Sequence, residues 1–186
     1  MNIRTLRAWH IGLGVSLLAA AHVDAAPMLP VTQALAGDVQ SLAGIERVRM
    51  KVNVSSSVQG LEKHAVPTMT RMFRQILKKR GLKVVDDDPD APMLRIAVQT
   101  HRSTELPGAV AAVYHVSVTQ DVVVERLGKK VNLPTYSVIH GMLFPEARVR
   151  GEIDRPAVAL VNHIVSKIRV ATSADARSRQ RGAAPK

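Results

Sequence analysis

A chain of 186 residues with 46% hydrophobic and 22% charged residues is long enough for one domain with a continuous core, and that apolar content excludes disorder, collagen and coiled coil. The absence of cysteine excludes disulfides, zinc–thiolate sites, iron–sulfur clusters and covalent CxxCH haem attachment. A formal net charge of +11 points to an acidic partner.

The first segment reads as an address. Arg4 and Arg7 precede the apolar run Ile11–Val23, and Val23 and Ala25 supply small or apolar residues before a cut after Ala25. This order predicts a secretory signal peptide over residues 1–25. The run is shorter than the roughly 20 residues that a membrane span needs. No cysteine follows it, so the expected location is the periplasm, without lipid. Removing Arg4, Arg7 and Asp24 takes the 26 basic and 15 acidic residues to 24 and 14.

Residues 26–44 form a lead-in with two prolines and weak helical spacing. A single domain is expected over 45–171. In Arg47–Val54, Val48, Met50, Val52 and Val54 alternate with Arg47, Arg49, Lys51 and Asn53, the period of a half-buried strand. Met69, Met72, Phe73, Ile76 and Leu77 then fall on one helical stripe, with Pro67 suited to the first turn and Gly81 to the C-terminal cap. Residues 61–66 either join this helix through a kink or stand apart from it. Lys78, Lys79 and Arg80 suit the negative pole of the helix dipole.

Leu82–Val85 reads as a short strand, and residues 86–90 (DDDPD) as a loop. Met93–Thr100 alternates again. After Pro107-Gly108, Ala109–Arg126 reads as a long strand whose even-numbered residues from Ala112 to Val124 share a face. Leu133–Met142 reads as a strand with Leu133, Thr135, Ser137 and Ile139 on one side, and Pro134 suggests an edge position. Asp154 caps a last helix with Ala157, Leu160, Val161, Ile164 and Ile168 inward. From Thr172 the chain is polar and basic, and residues 172–186 are expected to be a disordered tail.

The order β-α-β-β-β-β-α predicts an α+β two-layer sandwich. Its sheet is mixed, mostly antiparallel and about five-stranded, with two helices on one face. The first two strands, joined through a helix, are expected to be parallel, and the later strands to pair as antiparallel hairpins. The open face then carries Arg47, Arg49, Lys51, Arg95, Gln99, His115, Thr119, Asp121, Tyr136 and His140. Of these, Arg47, Arg49, Lys51 and Arg95 are the candidate partner-binding residues, for an acidic protein surface or anionic lipid headgroups. A merely solvated basic face is the alternative.

Other chemistries find little in the chain. With Trp9 in the leader, only Phe73, Tyr114, Tyr136 and Phe144 remain as aromatics, too few on the open face for a nucleic-acid stacking platform. His115 and His140 are the candidate metal pair, for zinc or copper, against the more ordinary reading of polar sheet-face residues. The aspartate loop lacks the spacing of a calcium loop and is expected to offset nearby lysines. There is no G-x-S-x-G elbow, no H-E-x-x-H, no phosphate loop and no cysteine nucleophile, so no enzyme and no cofactor are expected. Met69 and Met72 belong to the core stripe.

Val48–Val54, Ile76-Leu77 before Gly81, Leu82–Val85, Leu94–Val98 and Leu160–Ile168 make a pattern that resembles the amino-terminal domain of the TolB translocation protein and the lipopolysaccharide-assembly lipoprotein LptE. The resemblance spans about residues 45–170, carries no functional motif, and departs from the lipoproteins in lacking an acylated cysteine. It implies an adaptor or accessory subunit docked on membrane-associated machinery. The alternatives are the small cofactor-free subunit of a periplasm-facing quinoprotein alcohol dehydrogenase complex, and a periplasmic metal- or small-ligand-binding protein.

Overall fold

The computed structural model describes residues 35–182. The expected signal peptide, the lead-in up to residue 34 and the last four residues lie outside them. The elements run α1 (Gly37–Gln40), β1 (Arg47–Ser56), α2 (Leu61–Lys79), β2 (Lys83–Val84), β3 (Met93–Arg102), β4 (Ala109–Val124), a 3-10 turn (Glu125–Leu127), β5 (Lys129–Pro145), α3 (Glu146–Glu152) and α4 (Asp154–Gly182). The five strands form one sheet in the order β2-β1-β3-β4-β5. The α+β sandwich expected from the sequence is therefore present.

β1 and β2 are parallel, as the intervening helix requires. β3 differs from expectation, because it joins the other side of β1 in parallel rather than as a hairpin. A parallel return ordinarily needs a dozen or more residues. Here β2 advances only two residues, Lys83 and Val84, so the loop over residues 85–92 suffices to begin β3 beside Arg49. β3–β4 and β4–β5 are long antiparallel ladders.

One face of the sheet meets all the helices. Val48 of β1, Leu94, Ile96 and Val98 of β3, and the even-numbered residues of β4 from Val110 to Val118 are buried there. They pack with Leu61, Ala65, Met69, Phe73 and Leu77 of α2 and with Ala157, Val161, Ile164, Val165, Ile168 and Ala171 of α4. Leu42 is fully buried, so the core begins before the expected boundary at residue 45.

α2 starts six residues before Pro67 and runs unbroken past it, with Pro67 exposed on the solvent side. Its end is the one expected. Gly81 takes φ +79°, its N–H reaches the Lys78 carbonyl at 3.0 Å, and the Leu82 N–H reaches the Leu77 carbonyl at 2.9 Å, a Schellman closure. α4 continues to Gly182, where composition had predicted disorder from residue 172. Its last core residue is Ala171.

Candidate docking surface

The face of the sheet away from the helices carries the odd-numbered residues of β1, β3 and β4. Arg47, Arg49, Lys51 and Arg95, the four candidate partner contacts, all lie at positions on this face, but their surroundings differ. Arg47 Nε is 3.1 Å from the Asp88 carboxylate. Arg49 is half-buried and its Nε donates to the Ala91 carbonyl at 3.1 Å. Both are thus engaged by the loop between β2 and β3. Lys51 and Arg95 are exposed direct neighbours across the β1–β3 ladder, and neither enters an ion pair among the described residues. Like charges directly opposite on a sheet repel, so this pair is held together by the backbone register alone.

Cross-strand rows extend the surface. Lys51 and Arg95 continue into Ser117 and Ser137, while Asn53 and Ala97 continue into His115 and Ile139. Gln99 leads to Val113 and Gly141. At one corner, Asp121 accepts from the Asn132 amide at 2.6 Å and pairs with Lys130 at 3.1 Å. The Asn132 hydrogen bond, followed by Lys130, holds the Asp121 carboxyl below its ordinary range. These residues and Arg49 line a cleft of about 150 Å³ in which charges of both signs balance.

The aspartate loop does offset cations, but mainly arginines. Besides Asp88 on Arg47, Asp86 pairs with Arg74, and that hydrogen bond lowers the Asp86 carboxyl. Arg74, Lys78 and Lys83 border a groove of about 450 Å³ at the end of α2. Nearby, Arg169 donates to the Arg80 carbonyl at 2.6 Å.

Two residues expected on the open face are elsewhere. Tyr136 is buried on the helix side, with its hydroxyl 3.1 Å from His163 Nε2 and the two rings stacked at 6.5 Å. Burial pushes its phenol up, with the Asp38 charge adding to the effect. His140 stands opposite Tyr114 and shares that strand face, whereas His115 stands opposite Ile139 on the open face. The candidate metal pair is therefore split between the two sides of the sheet.

The cause is a bulge in β5. Val118 pairs with Tyr136 but Thr119 pairs with Pro134, leaving Thr135 as an extra residue. The phase read from Leu133 holds before Thr135 and inverts after it, because one inserted residue turns every later side chain over. Sequence reasoning consequently missed Ile139 and Leu143, which are 67% and 60% exposed on the open face. The legible signal was the uncharged run Ser137–Phe144. Among the described residues, no group of three or more histidines, cysteines or carboxylates is placed to hold a metal ion. No described helix is long and apolar enough to cross a membrane.

No protein-family model and no curated protein matches the chain. Solved structures do align with it. The rare lipoprotein B from Shewanella oneidensis is 15% identical over 70% of this chain and 96% of its own, with a TM-score of 0.28. A PelC dodecamer from Paraburkholderia phytofirmans is 16% identical over 68% and 90%, with a TM-score of 0.38. A minor lipoprotein from Acinetobacter baumannii is 14% identical over 73% and 95%, with a TM-score of 0.27. None of the three is named as a TolB or LptE protein. The expected location, a periplasmic chain without lipid, is corrected in this respect: two of these neighbours are named as lipoproteins.

Proposed function

We propose that this protein is a non-catalytic accessory protein of the cell envelope that docks an acidic partner on its bare sheet face. The supporting observation is the Lys51–Arg95 pair. Two exposed cations are placed side by side by the β1–β3 register, without a carboxylate partner among the described residues. Strand pairing that brings like charges together is unfavourable in the free protein. An acidic surface laid over the face relieves that repulsion, and desolvating the contact strengthens it. In the same cross-strand row Ser117 is buried and Ser137 is exposed, so Ser137 supplies a hydroxyl for hydrogen bonding near the charges.

The test places a photo-crosslinking side chain at Gln99 on the bare face and, separately, at Lys63 on the outer side of α2. A discrete adduct from Gln99 alone, lost in the double variant Lys51→Glu/Arg95→Glu and weakened by salt, is the expected result. An adduct indifferent to the charge reversal overturns the assignment of the surface, as does equal crosslinking from Lys63.

A further inference from the structure

The two edges of the sheet are unequal. β2 closes one edge with only two residues, the short type of edge strand that offers little to a second chain. β5 forms the other over Lys129–Pro145, and no described strand pairs with its outer side. Proteins protect long edges with charge, proline or bulges. In β5 these devices gather before Tyr136, as Lys129, Lys130, Pro134 and the Thr135 bulge, and Pro145 ends the strand. Ser137–Phe144 has none of them. In a chain of net charge +11 this run carries no charged residue, so it is where a second copy meets the least repulsion.

Gly141 lies in the middle of this run. It occupies a strand interior, where glycine weakens the ladder, and a Cβ added there would meet nothing within 4 Å. Neither crowding nor a positive φ within the chain accounts for it. The register around Gly141 is unbroken, so it is no bulge glycine; a bend or the close approach of a ligand or another backbone fits such a position. The residues around it also read alike in both directions. Ile139 and Leu143 stand two positions away on the open face, and Val138 and Phe144 three positions away on the helix side.

We propose that residues 138–144 pair antiparallel with the same residues of a second copy about a two-fold axis at Gly141, joining two sheets into one. This axis places Ile139 opposite Leu143 of the second copy and His140 opposite Met142. Ile139, Leu143 and Met142, three of the exposed large apolar residues, are thereby covered together. The contact is isologous, as a closed dimer requires, and antiparallel pairing satisfies backbone groups that the edge leaves open. It uses an edge distinct from the Lys51–Arg95 surface and does not depend on it.

Sedimentation velocity on the full chain tests this directly. The expected species has twice the 20.2 kDa chain mass and tightens as salt rises, since screening relieves repulsion between two cationic copies. Docking through Lys51 and Arg95 has the opposite salt dependence, so the two readings fail separately. The double variant Ile139→Lys/Leu143→Lys is expected to weaken the dimer at least about tenfold with an unchanged circular dichroism spectrum, both positions being exposed. Val123→Lys, equally exposed at 67% but outside the run, is expected to leave it intact. Hydrogen exchange on the wild type gives a check free of mutation, because amide protection over 138–144 is expected to rise with protein concentration. A monomer at all concentrations overturns the proposal, as does a dimer that survives the double variant. Protection independent of concentration overturns it too, and assigns the edge to another segment of the same chain.

Discussion

Tyr114 shows what a single side chain contributes when its surroundings are complete. It is fully buried on β4, and its hydroxyl donates to the Ile153 carbonyl at 2.9 Å, tying the sheet to the turn between α3 and α4. Tyr114→Phe keeps the ring but removes that buried hydrogen bond, with an expected loss of about 1–2 kcal/mol in urea unfolding. Burial, followed by the Asp154 charge, raises the phenol well above its ordinary 10.0. The fold therefore favours the protonated form. Its contribution is complete below pH 10 and is lost as pH rises from there through the folded value. Wild-type stability is expected to fall more steeply above pH 10 than that of Tyr114→Phe, Tyr136 supplying a residual slope of the same sign. Parallel alkaline slopes would contradict this account.

At the scale of elements, β5 is the instructive strand. Thr135 is held at the bulge by polar contacts: Gln120 Nε2 donates to its hydroxyl at 2.7 Å and to the Ser41 carbonyl at 2.9 Å, binding β4, β5 and the segment after α1 together. The bulge allows Leu133, opposite Gln120, and Tyr136, opposite Val118, both to meet the helix side. Deleting Thr135 restores a regular ladder and so forces one half of the strand out of phase. Either Tyr136 and Phe144 turn outward or the Leu133 end does. The expected outcome is a loss of about 3 kcal/mol or more, comparable to removing a large core side chain, read as a lowered thermal midpoint. A deletion that melts with the wild type would mean that the bulge does not set the phase.

For the whole molecule, the long α4 raises the question of where the domain ends. Ala171 is its last buried residue, and Thr172 Oγ1 still accepts from the Gly44 N–H at 3.0 Å. Beyond Ser173 the helix carries Arg177, Arg179 and Arg181 with one internal ion pair, Arg179–Asp175, of the exposed kind that contributes little. A chain ending after Ser173 is expected to unfold within about 1 kcal/mol of the full one by chemical denaturation, since no core residue is removed. A larger loss would show that the projecting segment is part of the cooperative unit.

Local sequence was enough for the order of the five strands and the two long helices, though not for α1 or α3, and for the buried faces of β1, β3 and β4, the apolar stripes of both long helices and the cap at Gly81. Each of these is written in the local periodicity or chirality of a few neighbouring residues, and burial enforces that periodicity. The basic residues of the open face were legible for the same reason. That β3 lies parallel beside β1 emerges only in the folded chain, because that placement depends on how short β2 is and on a pairing between residues far apart in the chain. The folded chain likewise makes Lys51 and Arg95 neighbours, buries Tyr136 and turns His115 and His140 apart. Phase along a strand is local, but a bulge is set by the partner strand, and one unpaired residue reverses everything beyond it.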